Sequence, residues 1–466
     1  MQVRRERRRS AKLGPGGFAP PPHTTPQPVL TFLGFAMIVA FMTLIMTKRM
    51  SALTALILVP IVFAFLAGVR EELGPMMLAG ITALAPTAVM LLFAILFFSI
   101  MMDAGLFDPL IRAIVWAVRE DPLKVVVGTA VLALLVSLDG DGTTTYLIVI
   151  AALLPLYKRL GLSRLVLASL MMLASGVMNI LPWGGPTARA ASALKIDPSE
   201  IFVPMIPAMG AAAAWVIILA FIFGIHERRR LKALDVDTGD GTETVRITDI
   251  DRPGKKTSGT LAPRWVNLLL TLALMFALVR GLLPLPVLFM AAFAIALVIN
   301  FPSIAEQKAR IAAHAGNALA VASVVCAAGV LMGVMSGTKM IDAMGRTVVS
   351  MVPAPLGPHL AVITGVLSIP FTFFLSNDAF YFGMLPILAE AASNYGISAA
   401  EIGRASIIGQ PVHLLSPLVP STYLLVGLAN VELGDHQKFT LKWSAISALV
   451  LLAIGLATSV IPWRGC

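Results

Sequence analysis

Apolar runs of about twenty residues, long enough for a helix to cross the hydrocarbon core of a bilayer, recur from Val29 to the end of the 466-residue chain. Little polar sequence is left between them to face water. With 58% apolar and 13% charged residues, the chain fits neither a disordered protein nor an ordinary soluble enzyme. It reads as an all-α polytopic protein embedded in the lipid bilayer of the cell membrane. The 35 Lys+Arg against 25 Asp+Glu give a net charge of +10, but this charge does not indicate nucleic acid. Six basic residues (Arg4, Arg5, Arg7, Arg8, Arg9, Lys12) lie within the first twelve positions, and most others sit in short loops between apolar runs, where Lys and Arg set orientation. Cys326, inside an apolar run, and Cys466, at the last position, provide neither a disulfide framework nor a Cys metal site.

Residues 1–28 combine the Arg cluster with GPGG and PPPHTTPQP and read as a disordered extension. A first membrane repeat follows over 29–225, then a polar linker over 226–264 and a second repeat over 265–466. In the first repeat, apolar segments at 29–46, 52–69 and 76–102 precede an amphipathic stretch to Asp121. A run from Leu123 then breaks at the polar knot LDGDGTTTY, and a helix interrupted at LPWGGPT leads to a span over 201–225. The second repeat gives the same order: segments at 265–283, 286–300 and 317–337, the amphipathic TKMIDAMGRTVVSMV, a run broken at LSND, a helix interrupted at SPLVPST, and a last span over 440–462. Pairing Gly161 with Gly396 keeps a constant offset of 235 through Ser163/Ser398, Pro182/Pro417 and Thr187/Thr422.

Loop charge sets the orientation. With the linker cytoplasmic and each knot the tip of a re-entrant hairpin, Lys48/Arg49, Lys158/Arg159/Arg164, Lys308/Arg310 and Lys438/Lys442 all fall inside. Five crossings then separate the knots, so the first hairpin opens to the cytoplasm and the second to the outside. This is an inverted-topology repeat of about five spans each, with two re-entrant hairpins and two broken helices. The Arg-rich N-terminal arm alone falls on the wrong side. Either a further crossing is hidden by splitting 76–102, or the arm is a tolerated tail.

A carboxylate at the bilayer centre costs about 2.5–3.5 kcal/mol, so Asp139, Asp141 and Asp378 require partners or a polar cavity. Gly140 and Gly142 permit non-helical backbone beside the first pair, and Thr143 and Thr144 supply hydroxyls; Ser376 and Asn377 do so at the second knot. One such knot reads most simply as a water-exposed loop, whereas two, each followed by a broken helix, read as a site. The breaks NILPWGGPTARA and HLLSPLVPSTYL pair prolines with small or hydroxyl residues and free backbone groups that bind ions or carboxylates. Gly184, Gly185, Asn179, Thr187, Ser421 and Thr422 are the candidate neutral ligands. Arg189 either holds a substrate carboxylate or pairs with one of the aspartates. His413 reads as a proton relay or metal contact, or as a hydrogen-bonded core histidine. Trp183 reads as a packing residue, and Met171, Met172, Met332 and Met335 as packing or lipid-facing.

The strings LDGDGTTTYLIVIAALLPLYKRLG, MNILPWGGPTARAASAL, LSNDAFYFGMLPILAEAA and GQPVHLLSPLVPSTYLLVGL resemble the citrate-metal:proton symporter family (CitMHS) of the ion transporter superfamily, from about residue 29 onward. The resemblance implies import of citrate complexed to a divalent cation together with protons, no resident cofactor, and a homodimer working by an elevator motion. Superfamily relatives place Ser-Asn-Thr at each hairpin tip to bind sodium and carboxylate. Here the tips read Asp139-Gly140-Asp141-Gly142 and Ser376-Asn377-Asp378, whose extra acids suit protons or a hard cation of the Mg2+ or Ca2+ class. On this reading Asp139, Asp141, Asp378 and His413 serve proton or metal coupling, with the three aspartates as oxygen ligands. A start near Val29 would remove the conflict over the arm. The competing readings are an intramembrane aspartyl protease, a cation channel, and a carrier of a related di- or tricarboxylate.

Overall fold

The computed structural model describes residues 27–47, 49–106, 108–109, 113–114, 121–140, 142–237, 264–353, 355–416 and 418–465. The disordered arm read over 1–28 lies outside them except at Gln27 and Pro28, which are helical and open α1 (Gln27–Met46). Apolar sequence in the absence of strand pairing folds as helix, and six helices among the described residues are long and apolar enough to cross a membrane. Large apolar side chains such as Phe32, Val39 and Val298 are more than 60% exposed, as lipid-facing residues are.

One layer consists of α1, α2 (Ala52–Leu66) and α3 (Leu73–Asp103), with α9 (Arg264–Val279), α10 (Leu285–Asn300) and α11 (Ile304–Gly337). The uninterrupted 31-residue α3 leaves no hidden crossing in 76–102. Helix α11 begins at Ile304 rather than at 317, because its polar first turns find partners instead of ending the helix. Arg310 Nη1 lies 3.2 Å and His314 Nε2 2.9 Å from Asp103 Oδ2, and the Arg310 guanidinium covers the Phe301 ring at 5.1 Å. Helices α3 and α11 cross where glycines let the backbones touch. A Cβ on Gly80 would meet the Gly329 carbonyl and lie 2.7 Å from the Gly333 backbone.

The other layer holds the broken elements. The first hairpin is α4 (Pro122–Val136), a tight turn over Ser137–Asp139, and α5 (Gly142–Arg159). The first broken helix is α6 (Arg164–Met178) and α7 (Gly185–Leu194), followed by α8 (Pro198–Asp237). The amphipathic α12 (Met340–Met351) leads from α11 to the second hairpin, α13 (Leu360–Phe374), a π-helical turn (Ala379–Met384) and α14 (Leu385–Ser393). The second broken helix is α15 (Ala399–Ser406), α16 (Gln410–His413) and α17 (Pro420–Ala429), and α18 (Leu433–Ala457) closes the chain. Each hairpin packs its first arm on the broken helix that follows it and its second arm on the post-break half of the other broken helix.

Helix α8 continues through His226–Asp237, so the first part of the stretch read as linker is helical. Its polar end is used as a clasp. Glu227 accepts from the Ser163 amide at 2.9 Å, Arg230 Nη2 reaches the Gly161 carbonyl at 2.6 Å, and Arg228 pairs with Asp121 at 2.8 Å, tying this end of α8 to the open end of the first hairpin. The open end of the second hairpin is tied instead beyond α18, where His359 meets the Trp463 carbonyl and the Gly465 amide meets that of Pro358. Phe223, late in α8, packs against Phe439 and Trp443, early in α18. The methionines Met171, Met172, Met332 and Met335 are buried and pack inside the protein.

Candidate binding site at the helix breaks

The two breaks are built alike. Helices α7 and α17 each span 10 residues and start and end 235 positions apart. Each ends on a left-handed residue, Lys195 and Asn430. Pro186 and Pro420 sit in the first turns, where a missing N–H costs nothing. Thr187 donates its hydroxyl proton back across the break to the Ile180 carbonyl at 2.8 Å, and Thr422 donates to the Leu414 carbonyl. Both candidate ligands therefore stitch the breaks shut, satisfying carbonyls that would otherwise be orphaned at the end of the preceding helix. Gly184 has no room for a side chain: a Cβ would meet the Asn179 carbonyl and lie 2.8 Å from that of Leu181.

The hairpin tips reach these breaks. Gly140 adopts φ +77, and a Cβ there would stand 2.8 Å from Trp183 Cδ1. The Trp183 indole donates to the Leu138 carbonyl at 2.9 Å and packs against Phe98 and Phe289. Trp183 thus does more than pack, since it pins the first tip. At the second tip the Ser376 hydroxyl accepts from the Ala379 amide at 3.2 Å. Asp378 Oδ1 accepts a hydrogen bond from Arg189 Nε at 2.6 Å, while Arg189 Nη1 donates to the Gly185 carbonyl at 3.1 Å. Arg189 therefore pairs with one of the aspartates, as one of its two readings held. Asp141 and the side chains of Asp139 and Thr143 lie outside the described residues, and Thr144 is partly buried in the first turn of α5.

Between tips and breaks lies a cavity of about 170 Å³. It brings together Gly140, Asn179, Gly185, Asn377, His413 and Ser421 from the expected set, and adds Ser137, Gly142, Ser175, Pro186, Leu414 and Val419. Gly184, Thr187, Arg189, Ser376, Asp378 and Thr422 stand around it without lining it. The Ser137 and Ser175 hydroxyls are 3.1 Å apart and join the first hairpin to α6. Sequence reasoning passed over both, yet the offset of 235 marks them: their counterparts Thr372 and Gln410 also stand behind the second break. Gln410 Nε2 donates to Tyr381 Oη at 2.8 Å, and His413 Nδ1 lies 2.6 Å from the Thr372 carbonyl.

The cavity is lined by the first residues of α5, α7 and α17 together with neutral polar side chains. Helix N-termini present unpaired N–H groups and the positive end of the helix dipole, which favour an anion. The Arg189 guanidinium beside it is already matched by a carboxylate. Among the described residues no group of three or more His, Cys, Asp or Glu could hold a metal ion. The arrangement suits a small anion of low net charge.

Residues 41–409 match the citrate transporter family, CitMHS. A citrate transporter of Bacillus subtilis (strain 168) is 60% identical over 435 residues, 93% of this chain and 100% of its own length. A Mg2+/citrate complex secondary transporter of the same organism is 50% identical over 435 residues, 93% of this chain and 99% of its own. Among solved structures, the YdaH transporter of Alcanivorax borkumensis, described as having an unusual topology, superposes with a TM-score of 0.55 at 14% identity, covering 94% of this chain and 100% of that one.

Proposed function

Because this chain belongs to the citrate transporter family, as a multi-pass membrane transporter and not an enzyme, we propose that it imports citrate as a complex with a divalent cation, coupled to protons. The intramembrane protease reading falls with the family. The observation that carries the proposal is the charge of the described lining. Free citrate is a trianion, and burying three charges against helix dipoles and a guanidinium already neutralised by Asp378 is unfavourable. Complexed with a divalent cation, it enters as a monoanion, which that lining can match. Asp139 and Asp141, at the same tip in sequence, add to the need for cations. The relative named for Mg2+/citrate supports this reading.

In this mechanism the hairpins gate opposite faces, and a substrate carboxylate competes with Asp378 for Arg189 while a proton settles on the displaced aspartate. The body holding hairpins and broken helices moves against the α3–α11 scaffold in an elevator motion, within a homodimer. The test is uptake of labelled citrate into vesicles with Mg2+, Ca2+ or other divalent cations, or with chelator. Uptake should require the cation and vanish with chelator. Equal uptake of free citrate would overturn the complex as substrate, and stronger transport of another carboxylate would replace citrate by that relative.

A further inference from the structure

His413 lines the cavity while only 5% exposed. A backbone carbonyl can only accept, so the 2.6 Å contact with Thr372 fixes the ring proton on Nδ1. In the neutral ring Nε2 is then a lone pair with nothing to give, and His413 makes no other hydrogen bond to a described residue. The other polar side chains on the wall, the hydroxyls of Ser137, Ser175 and Ser421 and the amides of Asn179 and Asn377, can each turn a proton toward a carboxylate. Nε2 cannot, and a buried acceptor left without a donor is costly.

Among the described lining residues the repeat sets this acceptor apart. Three pairs related by the offset of 235, Gly142/Asn377, Asn179/Leu414 and Pro186/Ser421, line the cavity from both halves. The position that matches His413 is Met178, which offers no comparable acceptor and is absent from the wall. Among the described lining side chains, His413 is thus the one that can accept and not donate. Citrate, the substrate in the preceding reading on which this inference rests, carries three carboxylates that only accept and one hydroxyl that donates. We infer that His413 Nε2 accepts the hydrogen bond of the substrate hydroxyl and makes the site selective for a 2-hydroxy tricarboxylate. Coordination of that hydroxyl to the travelling cation would sharpen its donor character and leave the assignment unchanged.

The experiment compares binding of Mg2+-citrate and Mg2+-tricarballylate, which is citrate without its hydroxyl, to purified wild-type, His413→Asn and His413→Gln protein. The Asn amide nitrogen occupies the place of Nδ1 and keeps the bond to Thr372, but leaves Nε2 empty; Gln reaches the Nε2 position with an oxygen. Wild type should prefer citrate by about ten- to hundredfold, the value of one hydrogen bond to a buried partner. In His413→Asn that ratio should fall toward one through weaker citrate binding, and in His413→Gln part of it should return. A monodisperse His413→Asn protein that keeps the wild-type ratio overturns the inference. So does one that weakens both ligands equally, as a ring contacting carboxylates would, or one that changes only the preference between Mg2+ and Zn2+. Absence of citrate binding by wild type would instead overturn the preceding reading.

Discussion

Replacing Arg189 by Gln is expected to abolish citrate uptake. The guanidinium holds Asp378 at 2.6 Å from the far hairpin and is anchored through Nη1 to the Gly185 carbonyl, so it ties the second tip to the helix that begins at the first break. Both side chains are less than 20% exposed, and removing the cation leaves a carboxylate with its hydrogen bond unmade at membrane depth. A charged hydrogen bond is worth about 1.5–3 kcal/mol, and the partial exposure of this pair keeps the loss below the 3–5 kcal/mol of a fully buried ion pair. Thermal unfolding in detergent should therefore show Arg189→Gln clearly destabilised. The double variant Arg189→Gln with Asp378→Asn should regain much of that stability, since no unpaired charge remains. Uptake should not return, because the double variant lacks the group for which substrate and proton compete. Normal transport by Arg189→Gln would remove the pair from the mechanism.

Gly333→Leu is expected to prevent assembly altogether. A Cβ at Gly333 would meet the Met76 carbonyl and lie 3.2 Å from Gly80 Cα, and one at Gly329 would lie 2.8 Å from Ile81 Cα. These neighbours are backbone and cannot rotate aside, so α3 and α11 must separate. Overpacking usually costs about 1–3 kcal/mol, and forcing two helix backbones apart exceeds that range because every contact along the crossing is lost. Size-exclusion chromatography of a fluorescent fusion should show no monodisperse peak. Gly210→Leu, on the exposed side of α8 with open space around its Cα, should elute as wild type. Wild-type elution by Gly333→Leu would show that the crossing tolerates separation.

The correspondence of the two broken helices was legible because it is written in punctuation. Gly161 and Gly396 both take positive φ, Ser163 and Ser398 both precede their helices, and the post-break helices begin and end in register. Helix lengths were less legible. Lys308 and Arg310 look like loop residues until Asp103 and Phe301, more than two hundred and fewer than ten positions away respectively from Arg310, are seen to hold the guanidinium. The glycines of α3 and α11 were passed over because close approach is a property of two helices, and neither sequence stretch names its partner. The candidate site was legible in its outline and not in its roles. Thr187 and Thr422 carry the hydroxyls expected of ligands, but they satisfy carbonyls across the break, at the end of the preceding helix. Whether Arg189 faces substrate or aspartate depends on a contact spanning 189 positions, which no local pattern encodes.

The central claim is that a cavity matched to a monoanion works as a proton-driven carrier of metal-citrate. Its most direct test is concentrative uptake of labelled citrate by purified protein in liposomes, with Mg2+ present and a pH gradient, acid outside, imposed in the absence of any other driving force. Citrate should accumulate above the external concentration, and a protonophore should discharge it. Equilibration without accumulation, or accumulation indifferent to the pH gradient, would contradict the account.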